Sequence, residues 1–424
     1  MNNQPLSIEK YVDNHLSPKI IKKSQNINFT PFITKWIENI SSNDIPHFTK
    51  ENSKPFPSSL YSLIPETIRK KEITKLNQYT NVTFTSHDQE VTLFFSHTNT
   101  NTPSIKFIQH CIQVIHTLSD FAPKTCIQSS LHIYMYLTHA QKNIRHSEDV
   151  IIGEQNANTA FTTSCDPTQT SQKPKEIILF RQEEVFKVLI HELFHVLGMD
   201  FSNNQEQTQK TAQILREFLN INLPDLRLFE TYTETWACIL NTICISVWEN
   251  QENIQKQIQK RFKKEQLFSL WQVSKIIHYN QITYDSLNQK CLKPKSCFLS
   301  QKTKRQNKTQ NKTQKKTSNK PKREYKENTQ IFCYFLLKSA VFQKIDNFIT
   351  KFPPPFNKHH AEEKHSHAQV FAQFVLEAFQ DTNFAQQLQK MSALYLKYFH
   401  THPRKEQCMF DTMRQTVNEI DILS

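Results

Sequence analysis

Residues 184–200 read Glu184-Val-Phe-Lys-Val-Leu-Ile-His191-Glu192-Leu-Phe-His195-Val-Leu-Gly198-Met-Asp200. Apolar residues occupy nearly every side of this stretch at a helical period, which is typical of a buried helix. Residues four apart lie one above the other on a helix, so His191 and His195 point the same way. Gly198 is one of only two glycines in the chain and stands where a helix end favours glycine. A buried helix seldom carries two histidines and a glutamate unless something satisfies them, so the stretch predicts a binding site.

The pattern His-Glu-x-x-His indicates which chemistry that site carries. Two imidazoles on one helix face supply half of a tetrahedral zinc site. Glu192 follows the first histidine and can reach a water on the metal as its general base. The stretch therefore predicts one catalytic Zn²⁺ held in part by His191 and His195.

The run from His191 to Gly198 resembles the active-site helix of the zinc metallopeptidases known as zincins. The metzincin branch has a third histidine ten residues after the first, and Phe201 stands there in this chain. The gluzincin branch takes its third ligand from a glutamate on a later helix. Residues 229–240 are similar to that helix, in which the order glutamate, any residue, aromatic, alanine recurs, here Glu234-Thr-Trp-Ala237. The resemblance covers roughly residues 80–290 and implies hydrolysis of a polypeptide substrate.

Three carboxylates compete for the third ligand position. Glu234 matches the family pattern and is the predicted ligand. Glu230 lies four residues earlier, on the same face of the predicted helix, and is predicted to orient a histidine. The reverse assignment stays open, and Asp200, five residues after His195, is the third alternative.

The gluzincin resemblance also implies a tyrosine or histidine that stabilises the oxyanion of the transition state. His278, Tyr279 and Tyr284 follow the second site helix and are the candidates. The sequence does not choose among them.

The surrounding sequence predicts an α+β fold. A period of two marks strands at residues 82–85 and 91–95, which flank a hairpin turn. A helix over 105–118, a strand over 131–138, a short edge strand over 156–163 and a strand over 176–181 follow. This order is similar to the zincin N-terminal lobe, a small mixed sheet whose edge strand binds extended substrate as one more strand.

The sequence predicts four regions. Residues 1–78 form a helical N-terminal lobe, 79–298 the zincin-like core, 299–328 a basic insertion and 329–424 a helical C-terminal lobe. Residues 301–326 hold eleven Lys or Arg and one acid, so they account for ten of the thirteen net positive charges. Almost nothing there is apolar, which predicts disorder and weak, non-specific binding to nucleic acid or an anionic surface.

Composition predicts the compartment. The first residues show no secretory signal pattern, and no apolar run is long enough to span a membrane. The nine scattered cysteines therefore predict reduced thiols in an intracellular, cytoplasmic protein. The glycine-poor composition resembles that of proteins from large DNA viruses, in which similar predicted metallopeptidases occur, and a virion-associated location would fit such a source.

A second class of function stays open. In that alternative the protein keeps zinc without catalysis, and its basic segment binds nucleic acid or an anionic surface. A closed site with four protein ligands would indicate this alternative, whereas three ligands opening on a cleft would indicate an enzyme.

Overall fold

The computed structural model describes residues 8–16, 20–21, 26–42, 44–144, 151–166, 173–249, 252–288, 325–356, 366–401 and 407–423. It is an α+β protein with one mixed sheet of six strands surrounded by helices, which confirms the predicted fold class. Most of the basic segment, residues 299–324, lies outside the described residues, and so do Cys291 and Cys297.

The sheet has the strand order β1-β2-β3-β4-β6-β5. The strands are β1 (Phe48–Glu51), β2 (Gln78–Ser86), β3 (Gln89–His97), β4 (Leu131–Tyr136), β5 (Ala160–Thr162) and β6 (Lys175–Leu179). β3, β4 and β6 run parallel, and the remaining neighbours pair antiparallel. The predicted hairpin is present, since His87 and Asp88 both have positive φ, the backbone of a type I′ turn between β2 and β3. β5 is confirmed as an edge strand.

Helices fill the rest of the described chain. They are α1 (Ile8–His15), α2 (Pro31–Ser41), α3 (Glu66–Lys71), α4 (Ile105–Ser119), α5 (Glu154–Ala157), α6 (Val185–Val196), α7 (Gln205–Phe218), α8 (Leu228–Glu249), α9 (Ile254–Tyr279), α10 (Tyr284–Leu287), α11 (Lys338–Val341), α12 (Ile345–Lys351), α13 (His367–Phe379), α14 (Thr382–Thr401) and α15 (Gln407–Asp411). A π-helical turn, Phe332–Leu337, leads into α11. The helix predicted from residues 184–200 is α6, and Gly198 ends it with a φ of 63°, a conformation that favours glycine.

The parts of the chain on either side of the predicted core contribute to one structure. β1 belongs to the predicted helical N-terminal lobe, yet it pairs with β2 in the sheet. Buried apolar side chains from before residue 78, from the middle of the chain and from beyond residue 329 form a single contiguous core. The predicted boundaries at 78, 298 and 328 remain predictions.

Residues 412–418, near the end of the described chain, are buried. The side chain of Glu184, which precedes α6, accepts hydrogen bonds from the backbone N–H groups of Gln415 (2.7 Å) and Thr416 (2.6 Å). Glu265 on α9 accepts one from the N–H of Val417 (3.1 Å). Buried carboxylates thus replace the strand partner that this segment lacks, because buried backbone donors need acceptors.

One prediction about the cysteines is wrong. Cys126 and Cys165 form a disulfide, whereas the sequence predicted only reduced thiols. The pairing arises because the segment after β5 folds back beside the short helical turn Lys124–Ile127 that precedes β4. The N–H of Cys165 donates to the carbonyl of His195, so the disulfide also ties that segment to α6.

Within the described ranges, no helix is both long enough and apolar enough to cross a membrane.

Candidate metal centre

α6 lies between the sheet and α8, and all twelve of its residues are buried. α6 packs on β5, β6 and α8. Its histidines lie on the face toward α8, where His191 meets Glu230. The first turn of α8 carries Glu230, so two buried helices bring three metal-binding side chains together.

The three side chains converge on one point. The Nε2 atoms of His191 and His195 are 3.2 Å apart. The Oε2 atom of Glu230 lies 3.1 Å from the first and 3.5 Å from the second. Ligands at zinc distances from a tetrahedral centre would be separated by about 3.3 to 3.6 Å. The observed separations of 3.1, 3.2 and 3.5 Å lie within about 0.2 Å of that range, so the three atoms are spaced close to three corners of a zinc coordination tetrahedron.

The outer nitrogens of both rings face carboxylates. Nδ1 of His191 lies 3.0 Å from Oε2 of Glu234, and Nδ1 of His195 contacts Oδ2 of Asp200. Thr233 Oγ1 also donates to Asp200 (3.0 Å), which fixes that carboxylate. A carboxylate acceptor keeps the proton on Nδ1, so both Nε2 lone pairs point at each other and at Glu230. Two imidazole nitrogens and one carboxylate oxygen form a donor set that fits zinc.

Electrostatics also favour positive charge at this point. Burial alone would lower the pKa of His191, but hydrogen bonds with Glu230 and Glu234 outweigh it and raise that pKa. The pKa of His195 rises well above its usual value because Asp200 outweighs the effect of burial. Despite burial, the hydrogen bonds from both histidines hold the pKa of Glu230 far below its usual range. The carboxylate is thus anionic, as a zinc ligand must be.

The structure places the two glutamates differently from the predicted arrangement. Glu230, predicted to orient a histidine, supplies the oxygen nearest both Nε2 atoms. Glu234, the predicted ligand, lies one turn further on and contacts Nδ1 of His191 instead. Asp200, the third alternative, contacts Nδ1 of His195 and is not one of the converging ligands. The geometry therefore favours the reverse assignment.

Glu192 and Tyr334 line a cavity of about 30 Å³ beside His191, which is room for about one or two water molecules. Glu192 is 8% exposed, and burial raises the pKa of its carboxyl. Residues 157–160, at the start of β5, form the opposite wall.

None of the predicted oxyanion residues reaches this cavity. His278 and Tyr284 line a separate cavity of about 370 Å³ between α9 and α14. The hydroxyl of Tyr284 donates to the carbonyl of Phe379, and Tyr279 is the last residue of α9. Within the part of the chain that the structure describes, none of the three lines the cavity beside Glu192.

Tyr334 is the tyrosine that lines this cavity. Its ring meets the ring of His191 edge-on, with centroids 5.9 Å apart, and it lines the cavity with Glu192. Burial and the nearby Glu230 raise the pKa of its phenol well above the usual value, so it stays a hydrogen-bond donor. A tyrosine within the apolar run that follows the basic segment was the available signal, but its distance from the motif in sequence hid it.

No protein-family model and no solved structure matches the chain. A stretch of 113 residues is 31% identical to part of the protein described as uncharacterized protein R210 from Acanthamoeba polyphaga mimivirus. The match covers 26% of this chain and 27% of that protein, so it spans about a quarter of each. The description of that protein names no activity. Its viral source agrees with the compositional resemblance found in the sequence.

Proposed function

We propose that this protein is a zinc-dependent metallopeptidase of the gluzincin type. One observation carries the proposal: the Nε2 atoms of His191 and His195 and an oxygen of Glu230 are spaced close to three corners of a tetrahedron. A catalytic zinc site has three protein ligands and a fourth position for water or substrate. His191, His195 and Glu230 would hold the ion, which would lower the pKa of a water and polarise the carbonyl of the scissile bond.

Glu192 is the proposed general base. It follows His191 on α6, so its side chain leaves the helix about a quarter-turn away from the ligands and enters the adjacent cavity. That cavity has room for the attacking water. Glu192 accepts the proton of this water and passes it to the leaving amine.

Tyr334 is the proposed oxyanion donor. Its phenol lies on the same cavity as Glu192 and beside His191. A donor aimed at the oxygen of the scissile carbonyl strengthens its hydrogen bond as negative charge develops there. A polypeptide is the proposed substrate, because β5 pairs with β6 along one side only and an edge strand beside the site can align an extended peptide.

The alternative of a structural zinc site requires a fourth protein ligand. Among the described residues, the converging group has three members. The binding of nucleic acid or an anionic surface by residues 301–326 stays a prediction, since that segment falls almost wholly outside the described ranges.

The test compares wild type with Glu192→Gln and measures zinc content together with cleavage of a mixed peptide library, detected by mass spectrometry. We expect about one zinc per chain in both proteins and cleavage by wild type alone, because glutamine cannot accept the proton. Glu206→Gln, on the exposed surface of α7, is the matched control and should behave as wild type.

Cleavage by Glu192→Gln at the wild-type rate would refute the mechanism. Loss of zinc from this variant would make Glu192 a ligand. Wild type that binds zinc but cleaves no peptide in the library would favour the structural role.

A further inference from the structure

A buried network of charges lies directly behind His191. Glu234 has no exposed surface, and Nζ of Lys187 lies 2.9 Å from each of its carboxylate oxygens. Nζ of Lys338 lies 3.3 Å from Oε1 of the same carboxylate. The group that contacts Nδ1 of His191 is thus itself held by two ammonium groups.

The network joins parts of the chain that are distant in sequence. Lys187 belongs to α6, Glu234 to α8 and Lys338 to α11, beyond the basic segment. Gln415, from the buried C-terminal segment, accepts from Lys187 through its side chain (2.6 Å) and from Lys338 through its backbone carbonyl (2.8 Å). Residues far beyond the motif therefore fix the position of a group that contacts a proposed ligand.

Stability alone does not explain this arrangement. Each lysine is about 1% exposed, and removing an ammonium from water costs several kcal/mol even when it is paired. Apolar residues of similar volume often give equal or greater stability at such positions. Two buried cations on the carboxylate that contacts Nδ1 of His191 suggest a role at the metal centre.

We propose that Lys187 and Lys338 are positioning residues of the metal centre. They hold the Glu234 carboxylate on Nδ1 of His191, which keeps Nε2 aimed at the metal position. Because Lys338 and Gln415 come from the C-terminal part of the chain, docking of that part and binding of the metal are linked. The inference rests on the zinc site of the proposed function but does not require peptide cleavage.

The test substitutes Lys338 by methionine, which keeps the length of the side chain and removes the ammonium. Zinc affinity is measured by competition with a chromogenic chelator, and the visible spectrum of the Co²⁺-loaded protein reports ligand geometry. We expect Lys338→Met to bind zinc about 10 to 100-fold more weakly, as is typical when a group that orients a metal ligand is lost. The Co²⁺ spectrum should change, and Lys338→Arg should recover part of the affinity.

Lys175→Met is the matched control. Lys175 is also a buried lysine, but its Nζ donates to the carbonyl of Cys126 and has no bond to Glu234. This control should leave zinc affinity and the Co²⁺ spectrum unchanged, whatever it does to stability. If Lys338→Met does not fold, Lys338→Gln keeps one donor and replaces it.

Zinc affinity and a Co²⁺ spectrum equal to those of wild type in Lys338→Met would overturn the proposal and leave the lysine a purely structural group. That result is distinguishable from failure of the proposed function, in which zinc affinity responds to Lys338 but wild type cleaves no peptide. If the wild-type protein bound no zinc, both this proposal and the proposed function would be refuted.

Discussion

At the scale of the residue, the sequence predicted the motif on α6 but only part of the set of side chains that meet it. His191, Glu192 and His195 were predicted from their spacing; the structure brings the two histidines together with Glu230 and places Glu192 on the adjoining cavity. The sequence could not decide which of Glu230 and Glu234 meets the Nε2 atoms of the histidines. Residues four apart share a helix face, so periodicity treats them alike. Which of them meets Nε2 depends on how far α8 is displaced along its axis relative to α6, and only tertiary packing sets that offset.

The first prediction separates the two glutamates. Glu230→Ala removes a proposed ligand and should weaken zinc binding by more than about 100-fold, while Glu234→Ala removes an orienting group and should cost about 10 to 100-fold. Chelator competition on both variants measures the difference, and Asp200→Asn serves as a second orienting-group control. Retention of zinc by Glu230→Ala together with its loss from Glu234→Ala would restore the assignment made from the sequence.

The second prediction concerns the residue that the sequence did not identify. Tyr334→Phe removes one donor from the site and should lower kcat by about 100 to 1,000-fold, with little change in KM or zinc content. Tyr284→Phe is the matched control, because its hydroxyl is bonded to Phe379 in another cavity. Steady-state kinetics on both variants decide the matter. An unaffected Tyr334→Phe, or an equal loss in Tyr284→Phe, would exclude this role.

At the scale of the element, local pattern predicted most of the site's framework. The hairpin, α4, β4, the edge strand, β6, α6 and α8 all appear in the predicted order. β1 was missed because Phe48-Thr-Lys-Glu51 is largely exposed and has no apolar alternation. Its strand character comes from pairing with β2, which no local window contains. The disulfide was missed for the same reason, since its cysteines meet only after the sheet has formed.

The third prediction concerns that disulfide. Cys126 and Cys165 close a loop of 39 residues, and loss of such a cross-link should lower the free energy of unfolding by about 4 kcal/mol in the chain-entropy account. Urea unfolding of the double variant Cys126→Ala with Cys165→Ala measures this effect. Cys408→Ala, at a partly buried cysteine outside the disulfide, is the control. A double variant as stable as wild type would mean that the bond adds little constraint to the unfolded chain.

At the scale of the whole molecule, the predicted C-terminal lobe is less separate from the rest of the chain than the sequence suggested. The polar composition of residues 412–418 gave no sign that they are buried. Their acceptors lie far earlier in the chain: Glu184 is 231 residues before Gln415, and Glu265 is 152 residues before Val417. A pattern-based division into lobes cannot detect pairing over such separations.

The same long-range packing closes the site. We call residues 325–334 the closing segment, because they contact both sides of the cavity that Glu192 and Tyr334 line. On the β5 side, Thr329 donates to the side chain of Asn158 (2.8 Å), a residue that lines the cavity. On the α8 side, the side chain of Gln330 accepts from the N–H of Arg227 (3.0 Å). The remaining cavity of about 30 Å³ is far below the roughly 300 Å³ or more of an ordinary ligand pocket. We therefore predict that the closing segment moves to admit the proposed polypeptide substrate.

The last prediction tests this movement by locking the segment in place. A Cβ built on Gly153 lies 3.5 Å from the Cβ of Asn328, within the range of about 3.5 to 4.5 Å found in disulfides. Oxidation of the double variant Gly153→Cys with Asn328→Cys should form a disulfide that ties the closing segment to position 153, just before α5. We expect the oxidised form to retain zinc and lose polypeptide cleavage, and reduction to restore it. Both single variants and wild type, carried through the same oxidation and reduction, control for the native disulfide. A cross-linked form, verified by mass spectrometry, that still cleaves polypeptides at the wild-type rate would show that substrate enters without displacing residues 325–334.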